Sequence, residues 1–235
     1  MDGRELLTMR WQDGLFAHWP ADPELVDARL PDGLHAATYD GDAWLSVVAF
    51  VMEDIKPRGS PVGFSFPELN LRTYVRPDDD IDAEGRGVYF FNLDADDTTS
   101  VAVARRLFAL PYYRAEMRAT REDDGSVRFV SRRRDPEDPP ARFDATYRPS
   151  GEQFVAEPGS LDAFLVENYR FYTDGRELYR GDIDHDPWRL QSASVTIRDN
   201  GLFEANDFDQ PPGDPVVHYA DTLDVTAGRI RRVRR

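Results

Sequence analysis

The segment Phe66 to Arg76, FPELNLRTYVR, constrains the fold most. Its side chains alternate with period two, so an extended strand places Leu69, Leu71, Thr73 and Val75 on one face and Glu68, Asn70, Arg72 and Tyr74 on the other. One face is apolar and packs inward; the other carries a carboxylate, an amide, a guanidinium and a phenol. On pattern alone that polar face reads as solvated. Similar strand signals recur along the chain. Ala43 to Met52 (AWLSVVAFVM) and Gly87 to Ala95 (GVYFFNLDA) are apolar on both faces and fit central strands. The segment between the first of these and Phe66, EDIKPRGSPVG, reads as a loop from its Pro and Gly content.

Further strands are expected at the short apolar run holding His18 and Trp19, at Ala115 to Thr120 and Ser126 to Ser131 around a Glu122–Gly125 turn, and at Ala141 to Tyr147. Tyr169 to Tyr179 and the stretches GDIDHDPWRLQSASVTI and VVHYADTLDVTAGRIRRV complete the set. Helices are fewer. Asp22 caps one that has Pro23 at its first position and closes by Pro31. Ser160 caps another in SLDAFLVENY, and a third spans Asp97 to Leu110, with Thr98, Thr99 or Ser100 as cap and an abrupt stop at Pro111. Strands therefore dominate, and the class is α+β with a largely antiparallel sheet and two or three helices. No linker or repeat divides the chain, so residues 1–235 are expected to form one domain with short flexible termini.

Composition excludes several functions. Cysteine is absent, which removes disulfides, thiolate metal sites and cysteine nucleophiles. Lys56 is the only lysine, so no phosphate-binding P-loop is present, and neither GxGxxG nor GxSxG occurs. The net charge is -15, with acidic residues scattered through the loops, which favours a salt-adapted surface over mimicry of nucleic acid and argues against a nucleic-acid partner. The basic end, Arg229 to Arg235, reads as a mobile tail or a last strand. No apolar run approaches the roughly 20 residues that span a bilayer, and MDGRELLTMRW lacks the regions of a signal peptide, so a cytoplasmic protein without membrane contact is expected. Asp182, Asp184 and Asp186 start like a calcium loop, but Pro187 and Ala193 occupy the positions that need Gly and Glu. The four histidines share no ligand spacing, so no metal is expected.

In order, LFAHWP, DGDAWLSVVAFVM, FPELNLRTYV, GVYFFNLDAD, AVARRLFALPYY, SLDAFLVENYRFY and DHDPWRLQSA resemble the YqjF-like family of uncharacterised proteins, the DUF2071 family, from about Trp11 to Val225. That family is distantly similar to acetoacetate decarboxylase. The resemblance implies a strongly curved antiparallel sheet, or partial barrel, around a small-molecule cavity. Acetoacetate decarboxylases use a Schiff-base lysine after a proline that follows a helix; the matching segment here is Pro111-Tyr112-Tyr113. Their glutamate-bearing strand matches Phe66 to Val75 and places Glu68 in the cavity. Lys56 is a poor substitute: lowering its pKa from ~10.4 to near 7 costs about 4 to 5 kcal/mol, and Glu53 and Asp54 beside it oppose the change.

The expected site therefore consists of Glu68, Tyr112 and Tyr113 as catalytic candidates, with Arg72, Asn70, His18 and Arg106 binding a small, anionic ligand. No cofactor is implied. Two readings stand: a small-molecule-binding protein without Schiff-base chemistry, and a lyase or hydratase for a carboxylate or keto acid that uses Glu68 and a tyrosine as acid and base. A third arrangement, Arg72 and Glu68 as a structural ion pair with the tyrosines in the core, also fits the sequence. A homo-oligomer is left open.

Overall fold

The computed structural model describes residues 5–78, 85–96, 110–175 and 177–233. Their strands form one thirteen-stranded, strongly curved sheet. In chain order these are β1 (Glu5–Ala21), β2 (Leu34–Ala36), β3 (Ala43–Pro57), β4 (Phe64–Pro77), β5 (Gly87–Ala95), β6 (Tyr112–Arg121), β7 (Val127–Arg133), β8 (Arg142–Phe154), β9 (Arg170–Asp174), β10 (Leu178–His185), β11 (Leu190–Asn200), β12 (Val216–Gly228) and β13 (Arg231–Arg232). The pairings are antiparallel except β5 with β6 and β5 with β9.

Two strands fork, and the forks define the architecture. The C-terminal half of β5 pairs with β6 and its N-terminal half with β9, while β12 pairs with β11 over one half and with β10 over the other. The sheet therefore closes twice. One circuit runs β5-β6-β7-β8-β11-β12-β1-β3-β4 and returns to β5; the second runs β12-β1-β3-β4-β5-β9-β10 and returns to β12. The wall β12-β1-β3-β4-β5 belongs to both, so each of its faces looks into a different interior.

This arrangement explains why the wall strands are apolar on both faces. In β3, Leu45, Val47 and Ala49 enter the core of the larger circuit, whereas Trp44, Val48, Phe50 and Met52 enter the smaller one. In β1, a bulge near Asp13 (φ 55°) changes the phase of alternation: Met9 and Trp11 precede it, Phe16 follows it, and all three face the smaller circuit. The bulge is pinned by Tyr147 Oη, which donates to the Asp13 carbonyl at 2.7 Å, and by Tyr219 Oη, which donates to the Asp13 carboxylate at 2.7 Å.

The helices are shorter than the sequence implies. Helix α1 (Pro23–Asp27) has the expected Asp22 cap, whose side chain accepts from the Glu24 amide, but ends after five residues because the Asp27 carboxylate turns to accept from the Ala36 amide at 2.6 Å. Helix α2 (Leu161–Val166) has its Ser160 cap and stops early because Asn168 Nδ2 donates to the Phe164 carbonyl. A 3₁₀ turn at Glu204–Asn206 was not expected. The third expected helix, from Asp97, lies outside the described residues. Among the described residues, no helix is long and apolar enough to cross a membrane.

Three strand boundaries also differ. The segment read as a loop from Glu53 is strand as far as Pro57, because a bulge at Asp54 (φ 50°) absorbs the irregularity and lets Ile55 pair with Phe64. The apolar run at His18 is the end of a 17-residue strand. Tyr169 to Tyr179 is two strands, β9 and β10, rather than one. At the basic end, Arg231 and Arg232 form a short last strand against β10. Asp182, the first of the acidic run, faces Arg180 at 3.2 Å, Arg170 at 3.7 Å and Arg231 at 3.8 Å.

Candidate functional site

Strand β4 sits in the shared wall between β3 and β5, and every residue from Glu68 to Val75 is buried. The polar face read as solvated is therefore interior. Strands β9 and β10 and helix α2 cover it, and these come from nearly 100 residues further along the chain. Glu68 is 3 % exposed and Arg72 8 %.

That face borders two adjoining chambers inside the smaller circuit. The inner one, of about 40 Å³, is lined by Gly14, Val48, Asn70 and Ala220 among others; the outer, of about 130 Å³, by Met9, Met52, Tyr112, Asn168, Ile183 and others. Trp11, Glu68, Arg72, Phe90 and Trp188 line both and form the junction. The indoles of Trp11 and Trp188 stack with centroids 5.7 Å apart, and Phe16 meets Trp188 edge-on at 4.9 Å, so one side of the junction is rigid and aromatic.

Tyr112 Oη donates to Glu68 Oε2 at 2.7 Å. Burial pushes the Glu68 carboxyl up to about 7, against hydrogen bonds from Tyr112 and Asn70 that favour the anion. Burial and the neighbouring Glu68 push the Tyr112 phenol well above its usual range, so it stays protonated and donates. A carboxyl that titrates near neutrality can give or accept a proton there.

Arg72 is a buried guanidinium that makes no ion pair among the described residues. Its Nη2 donates to the Leu165 carbonyl at 3.4 Å, its Nε finds no partner among the described residues, and its carbon lies 5.6 Å from the Phe16 ring centre. The ion pair with Glu68 is not formed. Four residues of strand separate their Cα atoms by about 13 Å. The same interior holds further polar atoms without a partner among the described residues: Trp11 Nε1, Asn70 Oδ1, Asn168 Oδ1 and His185 Nε2. Buried polar groups are rarely left so, and this concentration makes the chamber the candidate site.

His18 stands behind this site rather than in it. Its Nδ1 lies 2.6 Å from Ser46 Oγ, which lies 2.8 Å from Tyr74 Oη; Tyr74 Oη donates to the Leu165 carbonyl at 2.7 Å. Burial, then His218 and Arg72, hold His18 well below its ordinary pKa, so it is neutral. The chain thus anchors α2 behind Arg72. Tyr113 also lies elsewhere. Because β6 begins at Tyr112, consecutive residues point to opposite faces, and Tyr113 packs under Arg133, whose guanidinium carbon is 3.9 Å from its ring centre. Arg106 lies outside the described residues. Trp11, Asn168, His185 and Trp188 were not anticipated; in sequence they read as ordinary strand or loop residues, and only the double closure of the sheet brings them together.

The fold is the one seen in acetoacetate decarboxylase-like structures. Residues 8–224 match the DUF2071 family, described as an uncharacterized conserved protein, and the chain belongs to that family. It is 42% identical over 236 residues to the uncharacterized protein YqjF of Bacillus subtilis, covering 98% of this chain and 94% of that one. Solved structures share the fold at low identity. The enduracididine biosynthesis enzyme MppR complexed with pyruvate has a TM-score of 0.66 at 10% identity, over 100% of this chain and 92% of that one. An acetoacetate decarboxylase-like enzyme from Sphingomonas wittichii has a TM-score of 0.64 at 15%, over 100% and 94%. Acetoacetate decarboxylase from Legionella pneumophila also has 0.64, at 14%, over 98% and 90%.

Proposed function

We propose that the protein binds a small organic anion in the chamber beside β4, with Arg72 holding its carboxylate, and that it does not use Schiff-base chemistry. The observation that carries this reading is the buried Arg72 guanidinium without an anion among the described residues. A charge left so is costly, and an incoming carboxylate accepts from the guanidinium's fork of N–H donors. The fold likeness to MppR complexed with pyruvate supports a keto acid as the first ligand to try.

Against an amine nucleophile stand two facts. Pro111-Tyr112-Tyr113 carries no lysine, and Lys56, on β3, is bonded to Asp54 and does not line either chamber. Calorimetric titration with pyruvate, beside methyl pyruvate as the uncharged control, tests the reading: the acid binds and the ester does not. Equal binding of both would remove Arg72's role. Borohydride trapping with acetoacetate tests the chemistry, and a mass adduct on Lys56 would restore a Schiff-base enzyme.

A second reading, a lyase or hydratase for a carboxylate or keto acid, is favoured by the Glu68 carboxyl near pKa 7 beside the Tyr112 phenol. A screen of small acids for turnover, repeated with Glu68→Gln and Tyr112→Phe, tests it. Turnover unchanged in both variants excludes these residues from the reaction.

A further inference from the structure

We infer that the ligand is a monocarboxylic acid with an apolar arm of several carbons, lying along β4 with its carboxylate at Arg72 and its arm past Glu68; this rests on the anion-binding reading above. The inference comes from the order of residues along the smaller circuit. Strand register places Arg72 opposite Ser46, which pairs on its other side with His18; Glu68 lies opposite Phe50. Beyond Glu68 in the same direction come Met52, paired with Phe66 and Trp11, and then Ile55, paired with Phe64. Leu7 and Ala227 pair with each other at this end, and Ala227 pairs on its other edge with Ile183. The interior is thus graded: a cation at one end, the Glu68–Tyr112 pair midway, and an apolar compartment at the other.

The polar end is compact. Arg72 Nη2 and Asn168 Nδ2 both donate to the Leu165 carbonyl, each at 3.4 Å, so the Arg72 guanidinium and the Asn168 amide, whose Nε and Oδ1 have no partner among the described residues, meet at the end of α2. The other end is mostly apolar, with Trp11, Arg170 and His185 also on the lining of the outer chamber. Leu7, Met9, Met52, Ile55, Ile183 and Ala227 line the outer chamber of about 130 Å³. A cavity walled by such side chains forgoes packing contacts and takes up apolar matter in preference to water.

A three-carbon acid held at Arg72 leaves this compartment unfilled. Arg72, Met52 and Ile183 line the same outer chamber, so an acid with a longer arm held at Arg72 meets its apolar wall. The inner chamber of about 40 Å³, bordered by Asn70, branches from the middle of the path and admits only a small substituent.

A homologous series tests this: pyruvate, 2-oxobutanoate, 2-oxopentanoate and 2-oxohexanoate, titrated calorimetrically into the full-length protein. Affinity is expected to rise about fourfold per added methylene, the increment for burying one such group. A flat series with pyruvate still bound overturns the apolar arm and leaves the anion site standing. No binding by any member overturns both. Two variants locate the arm: Ala227→Leu and, across the pair from it, Ile183→Phe, each checked by its melting curve. Either is expected to weaken 2-oxohexanoate roughly tenfold by filling the compartment while leaving pyruvate nearly unchanged. Equal weakening of both acids by a folded variant places the arm elsewhere.

Discussion

Tyr112 and Glu68, 44 residues apart in sequence, meet through a 2.7 Å hydrogen bond that joins the start of β6 to the middle of the shared wall. The bond has a pH signature. Glu68 has its folded pKa raised from 4.5 to about 7, so between these values the folded state binds more protons than the unfolded one and stability falls as pH rises.

Glu68→Gln is expected to remove that loss. The stability difference between pH 5 and pH 8 should shrink by up to about 3 kcal/mol, the linkage value of a shift of this size. Urea denaturation at the two pH values measures it. Tyr112→Phe removes a hydrogen bond that favours the carboxylate, and so should raise the Glu68 pKa further, readable from the ¹³C shift of the labelled carboxyl.

Arg72→Met separates binding from folding. Replacing a buried charge that lacks an anionic partner among the described residues with an apolar side chain of similar length is expected to leave stability unchanged or raise it by about 1 kcal/mol or more. The same variant should lose carboxylate binding by at least roughly 100-fold, in line with truncation of a buried charge contact. Denaturation and titration of one preparation check both.

Tyr113 and Asp94 act on the other side of the wall. The Asp94–Arg133 pair, at 3.0 Å with both side chains 1 % exposed, is the most buried ion pair described, and Tyr113 roofs it. Asp94→Asn should cost about 3 to 5 kcal/mol because Arg133 is left buried and uncompensated. Tyr113→Leu should cost about 1 to 2 kcal/mol through the lost cation–π contact. Neither is expected to change the Glu68 titration, which follows from their place in the larger circuit.

The alternation in β4 made its two faces legible, and the helix caps at Asp22 and Ser160 were legible because both act within three residues. What escaped was non-local. Whether Glu68 and Arg72 face water depends on β9, β10 and α2, and no local pattern in Phe66 to Arg76 encodes that cover. Tyr112 and Tyr113 looked equivalent beside Pro111 until the strand began at Tyr112 and sent them to opposite interiors. His18 lay near the site in register but turned to Ser46 and Tyr74. Trp11 and Trp188 carried only the signal of core aromatics, and the loop misread at Glu53 followed from Pro57, Gly59 and Gly63 outweighing the strand before them.

The most direct test of the account is a crystal structure of the protein with 2-oxohexanoate. The carboxylate is expected within hydrogen-bonding distance of Arg72 Nε and the alkyl arm between Met52 and Ile183. Ligand density elsewhere, or a protein carboxylate on Arg72 in its place, would contradict it.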